Sequence, residues 1–147
     1  MVRGAEYFFN GIFKKMKTYF VVTGIVRHKG KILVLQKSDN DYNYPGKWSL
    51  CSGYVKEFES AEDTLLREIK EETGLKAKLQ GKGKLIHVKD KNKNKSWVIV
   101  VFPCSVKSGK VNLCHENKNF KWIKPKELKS LDTVPGLKKD IAKTGLI

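Results

Sequence analysis

The order of apolar runs along this chain predicts an α/β fold in which a mixed β-sheet carries helices on its faces. Two observations lead there. Five β-type runs flank and follow one amphipathic helix, and two shorter helical segments lie near the end, so strands stand before, between and after helices. A third observation sets the scale: with 147 residues, 40% of them hydrophobic, the chain can bury one substantial core and is expected to form a single domain over 17–147.

The elements follow in order. Residues 1–16 place Tyr7, Phe8, Phe9 and Phe13 among charges and read as an N-terminal extension without the apolar core and cleavage site of a secretory signal. Thr18–Val26 and Lys31–Gln36 are the first two strands. Asn40–Ser52, containing Pro45-Gly46-Lys47-Trp48, reads as a loop. Beyond the helix, Lys84–Val88 and Ser96–Phe102 are strands joined by the lysine-rich stretch Asp90–Lys95, expected to be an exposed hairpin loop. Phe120–Ile123 is a last strand. Lys126–Leu131 and Leu137–Lys143 are short helices, each closely preceded by a proline, Pro125 and Pro135, suited to a first turn.

The helix between the second and third strands carries the chemistry. Ser60 with Asp63 three residues later forms an N-cap pair, and Glu62 and Asp63 place negative charge at the positive helix end. The helix therefore begins near Ala61, and Gly74 supplies the left-handed residue that ends it. At about 100° per residue, Ala61, Leu65, Leu66 and Ile69 share an apolar stripe, with Glu68, Glu71 and Glu72 converging beside it. Seven of the fifteen acidic residues (Glu57, Glu59, Glu62, Asp63, Glu68, Glu71, Glu72) crowd into this stretch of a chain of net charge +15. Like charges at these spacings repel unless a cation sits among them, and oxygen-only ligands favour Mg²⁺ or Mn²⁺ over zinc.

From Gly53 to Leu75 the sequence reads Gly53, five residues, Glu59, seven residues, then Arg67-Glu68-Ile69-Lys70-Glu71-Glu72-Thr73-Gly74-Leu75. This resembles the Nudix box, G-x5-E-x7-R-E-U-x-E-E-x-G-U with U apolar, at every specified position, a match expected by chance on the order of 10⁻⁷. The resemblance implies an α/β/α sandwich with a catalytic loop-helix-loop, and a Mg²⁺- or Mn²⁺-dependent hydrolase of a nucleoside diphosphate linked to another group. By the same resemblance, Glu68, Glu71 and Glu72 hold the metal and Glu72 is its most regular ligand. The Ser52 carbonyl joins them, and Glu59 pairs with Arg67 to brace the loop. Relatives often follow a tryptophan with Pro-Gly-Gly where this chain has Cys51-Ser52-Gly53. The general base is Glu68 or, in a later loop, Glu116, which reads equally as a surface turn residue; His115 is a candidate for substrate contact, and Trp48 reads first as a core or loop anchor and second as a base-stacking residue at the substrate.

A nucleoside triphosphate or modified nucleotide is the first expectation for the substrate, with ADP-ribose or a nucleotide sugar second. A Nudix fold that binds nucleotide or RNA without cleaving it is the alternative of another class, and an isomerase on the same fold ranks lower. The charge of +15 steers polyanions toward the chain, an RNA 5′ end among them. A symmetric homodimer is the default assembly for a small enzyme. Three cysteines without paired spacing argue for a reducing cytoplasm and against a disulfide framework or zinc site. No apolar run is long enough to span a membrane.

Overall fold

The computed structural model describes residues 17–147; the aromatic-rich segment 1–16, read as an extension, lies outside the described residues. Strand β1 (Lys17–His28) turns into β2 (Lys31–Lys37) through Lys29 and Gly30, both at positive φ (49° and 75°). Such a two-residue turn matches the twist of the strands it joins. The two strands pair only at Arg27–His28 with Lys31–Ile32 and then diverge. Strands β3 (Trp48–Ser49) and β4 (Cys51–Tyr54) fill the wedge, β3 bonded to β2 at Leu35 and Gln36, β4 to β1 from Val21 to Gly24.

Helix α1 (Ala61–Thr73) follows, then β5 (Ala77–Leu79), β6 (Lys84–Asp90), β7 (Lys95–Val106) and β8 (Asn117–Ile123). A 3₁₀ helix (Pro125–Ser130) and α2 (Leu137–Thr144) come last. The eight strands make one sheet, in which β7 pairs in parallel with β1 from Lys17↔Lys95 to Arg27↔Ser105. β5 and β6 join β7, and β8 joins β2, antiparallel. The sheet is mixed, as expected, and β6 and β7 form the expected hairpin across Asp90–Lys95.

Each face of the sheet carries helix. On one, Leu65 and Ile69 of α1 are fully buried against Val22, Val26, Leu33, Leu35 and Cys104. The helix lies so near β1 that a Cβ on Gly24 would stand 3.1 Å from Leu65 Cδ1. On the other, Leu128 of the 3₁₀ helix and Ile141 of α2 cover Ile25, Ile32, Val34 and Val101. The architecture is the α/β/α sandwich, and no helix among the described residues is long and apolar enough to cross a membrane.

Three local expectations are corrected. Asn40–Ser52 is not all loop, because Trp48–Ser49 and Cys51–Ser52 belong to strands. Runs of two and four residues show no period, and Ser and Gly are weak strand formers, so β3 and β4 exist through their neighbours. β5 escapes notice for the same reason. The segment expected as a helix over Lys126–Leu131 is a 3₁₀ helix, with Pro125 in its first turn and Glu127 Oε2 accepting from Lys124 N at 2.6 Å. On α1, Leu66 is only half-buried, and the core rests on Leu65 and Ile69. Leu65→Ala is therefore expected to destabilise the fold by about 2–5 kcal/mol in denaturant titration, and Leu66→Ala by clearly less.

Candidate active site

Helix α1 is set by its ends. Ser60 Oγ accepts from Asp63 N at 3.1 Å, as the cap reading requires. Gly74 sits at φ 73°, with its N–H donating to Lys70 O. The loop entering the helix turns through Phe58, itself at φ 63° and fully exposed. What holds that loop is Arg67. Its Nε donates to Glu59 Oε2 at 3.0 Å and its Nη2 to Glu59 Oε1 at 3.1 Å. Thr64 Oγ1, one turn into the helix, adds a bond to Glu59 Oε1 at 2.6 Å. The guanidinium and this hydroxyl hold the Glu59 carboxyl down to about 2.

The same guanidinium serves two more carboxylates. Arg67 Nη1 donates to Glu68 Oε1 at 3.1 Å and to both oxygens of Glu71 at 3.2 Å. Glu59, Glu68 and Glu71 thus share one cation, which relieves the repulsion their spacing imposes. Glu71 is exposed and turned toward Arg67, outside the cleft described next.

Glu72 has a different environment. It is 9% exposed, and its Oε2 is buried without a hydrogen-bond partner among the described residues. Burial, then the charges of Glu68 and Glu116, push its carboxyl up to about 8, against the weaker pull of Lys37. Cys51, wholly buried, stands against it, and burial followed by the Glu72 charge raises that thiol far above its usual range. Glu68 is likewise raised, first by burial, with Arg67 opposing. A buried carboxylate oxygen without a donor is costly to leave so.

These groups border one open cleft of about 960 Å³, a size suited to a nucleotide. Glu68, Glu72, Ser52, Gly53, His115 and Glu116 all line it. Glu116 arrives there because the loop before β8 is stitched to the end of α1: Asn112 N donates to Thr73 O at 2.8 Å and Cys114 N to Glu72 O at 3.2 Å. Ser52 lies in β4 opposite Thr23. Its φ is not in the left-handed region, so serine sits there without backbone strain. A Cβ on Gly53 would fall 2.4 Å from Glu68 Cγ, so any side chain there would displace the Glu68 carboxyl from its place over β4.

Of the two readings of Trp48 the anchor holds: it is 7% exposed, packed in the core with the Lys121 ammonium 4.9 Å from its ring centroid, and does not line the cleft. His115 does line it, on an exposed turn. Sequence reasoning missed Thr64, Lys37 and Asp41. Lys37 lines the cleft and pairs with Asp41 at 3.8 Å. Asp41 in turn accepts from the N–H groups of Asn43 and Tyr44, fixing the loop at the cleft mouth. An acidic residue just after a strand, two and three positions before its backbone donors, was a readable signal for that turn.

Among the described residues no three His, Cys, Asp or Glu side chains stand in ready-made metal-binding geometry. The donor chemistry nevertheless fits a hard divalent cation: an orphaned buried carboxylate oxygen on Glu72, a second carboxylate on Glu68, and the β4 backbone carbonyls, all oxygen.

Comparison with known proteins agrees with this geometry. Residues 16–143 match the model of the NUDIX domain. A protein named nucleoside triphosphatase NudI from Escherichia fergusonii is 28% identical over 141 residues, covering 90% of this chain and all of that one. A NudI from Escherichia coli strain SE11 is 26% identical over the same coverage. Among solved structures, the MutT protein from Methanosarcina mazei Go1 superposes with a TM-score of 0.76 at 25% identity, covering 89% of this chain and 94% of that one. A C. elegans Ap4A hydrolase, at 19% identity over 86% of this chain and 95% of that one, shares the fold with a TM-score of 0.69. With an intact box and a family match over nearly its whole length, the chain belongs to the Nudix hydrolase family.

Proposed function

We propose that this hydrolase of phosphoanhydride bonds is a Mg²⁺- or Mn²⁺-dependent pyrophosphohydrolase of nucleoside triphosphates, modified ones included. Water attacks a phosphorus of the chain, a P–O anhydride bond breaks, and nucleoside monophosphate and pyrophosphate leave. The observation that carries this reading is the Glu72 carboxylate, buried at the cleft with an unpartnered oxygen beside Glu68 and Glu116. The NudI relatives, which this chain spans end to end, are named as nucleoside triphosphatases.

Glu72, Glu68 and the Ser52 carbonyl would hold the cation. Glu71 would join them only by leaving Arg67, to which it is now bonded. A divalent cation in that position neutralises phosphate charge and acidifies a nearby water. The residues of the chain do the rest. Arg67 and Glu59 keep the loop closed on α1, so that β4 and the helix face each other across Gly53. Glu116 takes the proton from the attacking water: it lines the cleft with Glu72 and makes no ion pair among the described residues, whereas Glu68 is held by Arg67. Lys37, in the same cleft, offers positive charge to the phosphates. The free thiols of Cys51, Cys104 and Cys114 suit the reducing cytoplasm proposed as the setting.

Pyrophosphate release should be measured with Mg²⁺ on nucleoside triphosphates, with ADP-ribose, dinucleotides and 5′-triphosphorylated RNA alongside. Turnover confined to ADP-ribose or dinucleotides would refute the triphosphate assignment. Glu72→Gln is expected to lower kcat/KM about 10³-fold or more and to abolish the rise in Tm that Mg²⁺ gives the parent chain, without loss of fold. Retention of full Mg²⁺-dependent activity would remove Glu72 from the metal site. Glu116→Gln is expected to lower kcat about 10²–10⁴-fold while leaving the Mg²⁺-induced shift in Tm unchanged. A small effect would transfer the base to Glu68.

A further inference from the structure

The cleft extends past the acidic residues onto a part of the sheet that α2 leaves bare. In β1 and β7, alternate residues face that side. The parallel register sets Tyr19 beside Trp97 and Val21 beside Ile99, while β4 brings Tyr54 opposite Val21 and β6 brings Val88 opposite Trp97. The rings touch. Tyr19 and Trp97 lie 6.2 Å apart between centroids with planes 24° from parallel, and Tyr19 and Tyr54 lie 5.6 Å apart at 60°. All three line the cleft, and Tyr54 is 55% exposed. Lys95 Nζ sits 5.9 Å from the Tyr19 ring centroid at the outer end.

Among the described residues Tyr19 and Trp97 are half-buried and Tyr54 exposed, so the rings border the cleft that holds the acidic site and do not fill a core. The distance is also apt. Ser52 and Tyr54 are two residues apart on one strand, so the aromatic surface begins about 7 Å from the backbone expected to face the metal. That leaves room for the sugar of a nucleotide whose phosphates lie at Glu68 and Glu72. Val21, Val88 and Ile99 line the cleft beside the rings and offer neither donor nor acceptor from their side chains, so the polar groups there are the two tyrosine hydroxyls, the indole N–H and the ammonium groups of Lys93 and Lys95.

We propose that Tyr19, Tyr54 and Trp97 form the base subsite, and that it grips the nucleobase by its face and not by its hydrogen-bonding edge. This rests on the triphosphatase reading above and deepens it. Every base has a π-face, so stacking is tolerant of base identity, whereas a site built on edge hydrogen bonds rejects the wrong partner strongly. The substrate class is therefore purine and pyrimidine nucleoside triphosphates alike, chosen by their phosphates.

The test compares ATP, GTP, CTP and UTP with inorganic tripolyphosphate, on the parent chain and on Tyr54→Ala, Trp97→Ala and Trp97→Phe. The four nucleotides are expected to differ in kcat/KM by no more than about tenfold, as a site without edge readout requires. Tyr54→Ala and Trp97→Ala are expected to raise KM for all four by about 5- to 100-fold, the size of a lost stacking contact, with kcat little changed. Trp97→Phe should restore most of it, and whatever weak cleavage tripolyphosphate shows should ignore all three substitutions. Trp97 is half-buried, so Tyr54→Ala, at an exposed position, keeps the test sound if Trp97→Ala unfolds. A preference for one base above about hundredfold, or a KM unmoved in folded Tyr54→Ala, would overturn the subsite.

Calorimetric titration with AMP and UMP separates this inference from the reading beneath it. Binding of both that is weakened in Tyr54→Ala, without turnover of any triphosphate, would support the subsite and sink the triphosphatase reading. Turnover indifferent to Tyr54 would do the reverse, and neither turnover nor binding would sink both.

Discussion

The guanidinium of Arg67 is the contact on which the acidic half of this molecule depends. Three carboxylates stand within hydrogen-bond distance of it, one from the loop before α1 and two from the helix itself. Without a planar fork of donors the spacing of Glu59, Glu68 and Glu71 would be a set of mutual repulsions. With it, the loop is closed onto the helix and Glu68 is drawn across the backbone of β4, where Gly53 leaves space. Glu72, one position beyond this network, is left with a buried oxygen and no donor. The arrangement concentrates acidic oxygens, one of them without a donor, at one point of a chain whose net charge is +15, beside a cleft that opens to solvent.

The sheet supplies the other half. Divergence of β1 from β2 after a tight turn creates a wedge, and the short strands β3 and β4 fill it by bonding one neighbour each. β4 is thereby placed between a core strand and the acidic helix. The parallel pairing of β1 with β7 extends the same face outward to Tyr19 and Trp97, beyond the cover of α2. Metal-type oxygen donors and aromatic rings therefore border one cleft, although they come from four separate segments of the chain.

Expectation and structure agree best where the signal is local. The limits of α1 follow from Ser60 and Gly74, and its buried positions Leu65 and Ile69 from a period of 3.6, because caps and periodicity act within a few residues. Trp48 shows the opposite case. A tryptophan in a Pro-Gly loop ahead of an acidic box has no local feature that separates a stacking surface from a core anchor, and its burial follows from the packing of β3 in the core. The brevity of β3, β4 and β5 hid them for the same reason: a strand of two to four residues is defined by hydrogen bonds to its neighbours and not by its own pattern.

By itself the sequence determined the acidic helix, through caps and periodicity at short range, and the α/β class, through the order of its apolar runs; the family and the pairing of Glu59 with Arg67 came through its resemblance to the Nudix box. Only the tertiary structure decided that Glu116, forty-four residues after Glu72 in the numbering, lines the same cleft, that Glu71 turns away to Arg67, and that Tyr19, Tyr54 and Trp97 meet. Those are long-range relations set by strand register and loop anchoring, and register depends on how whole faces of the sheet pack.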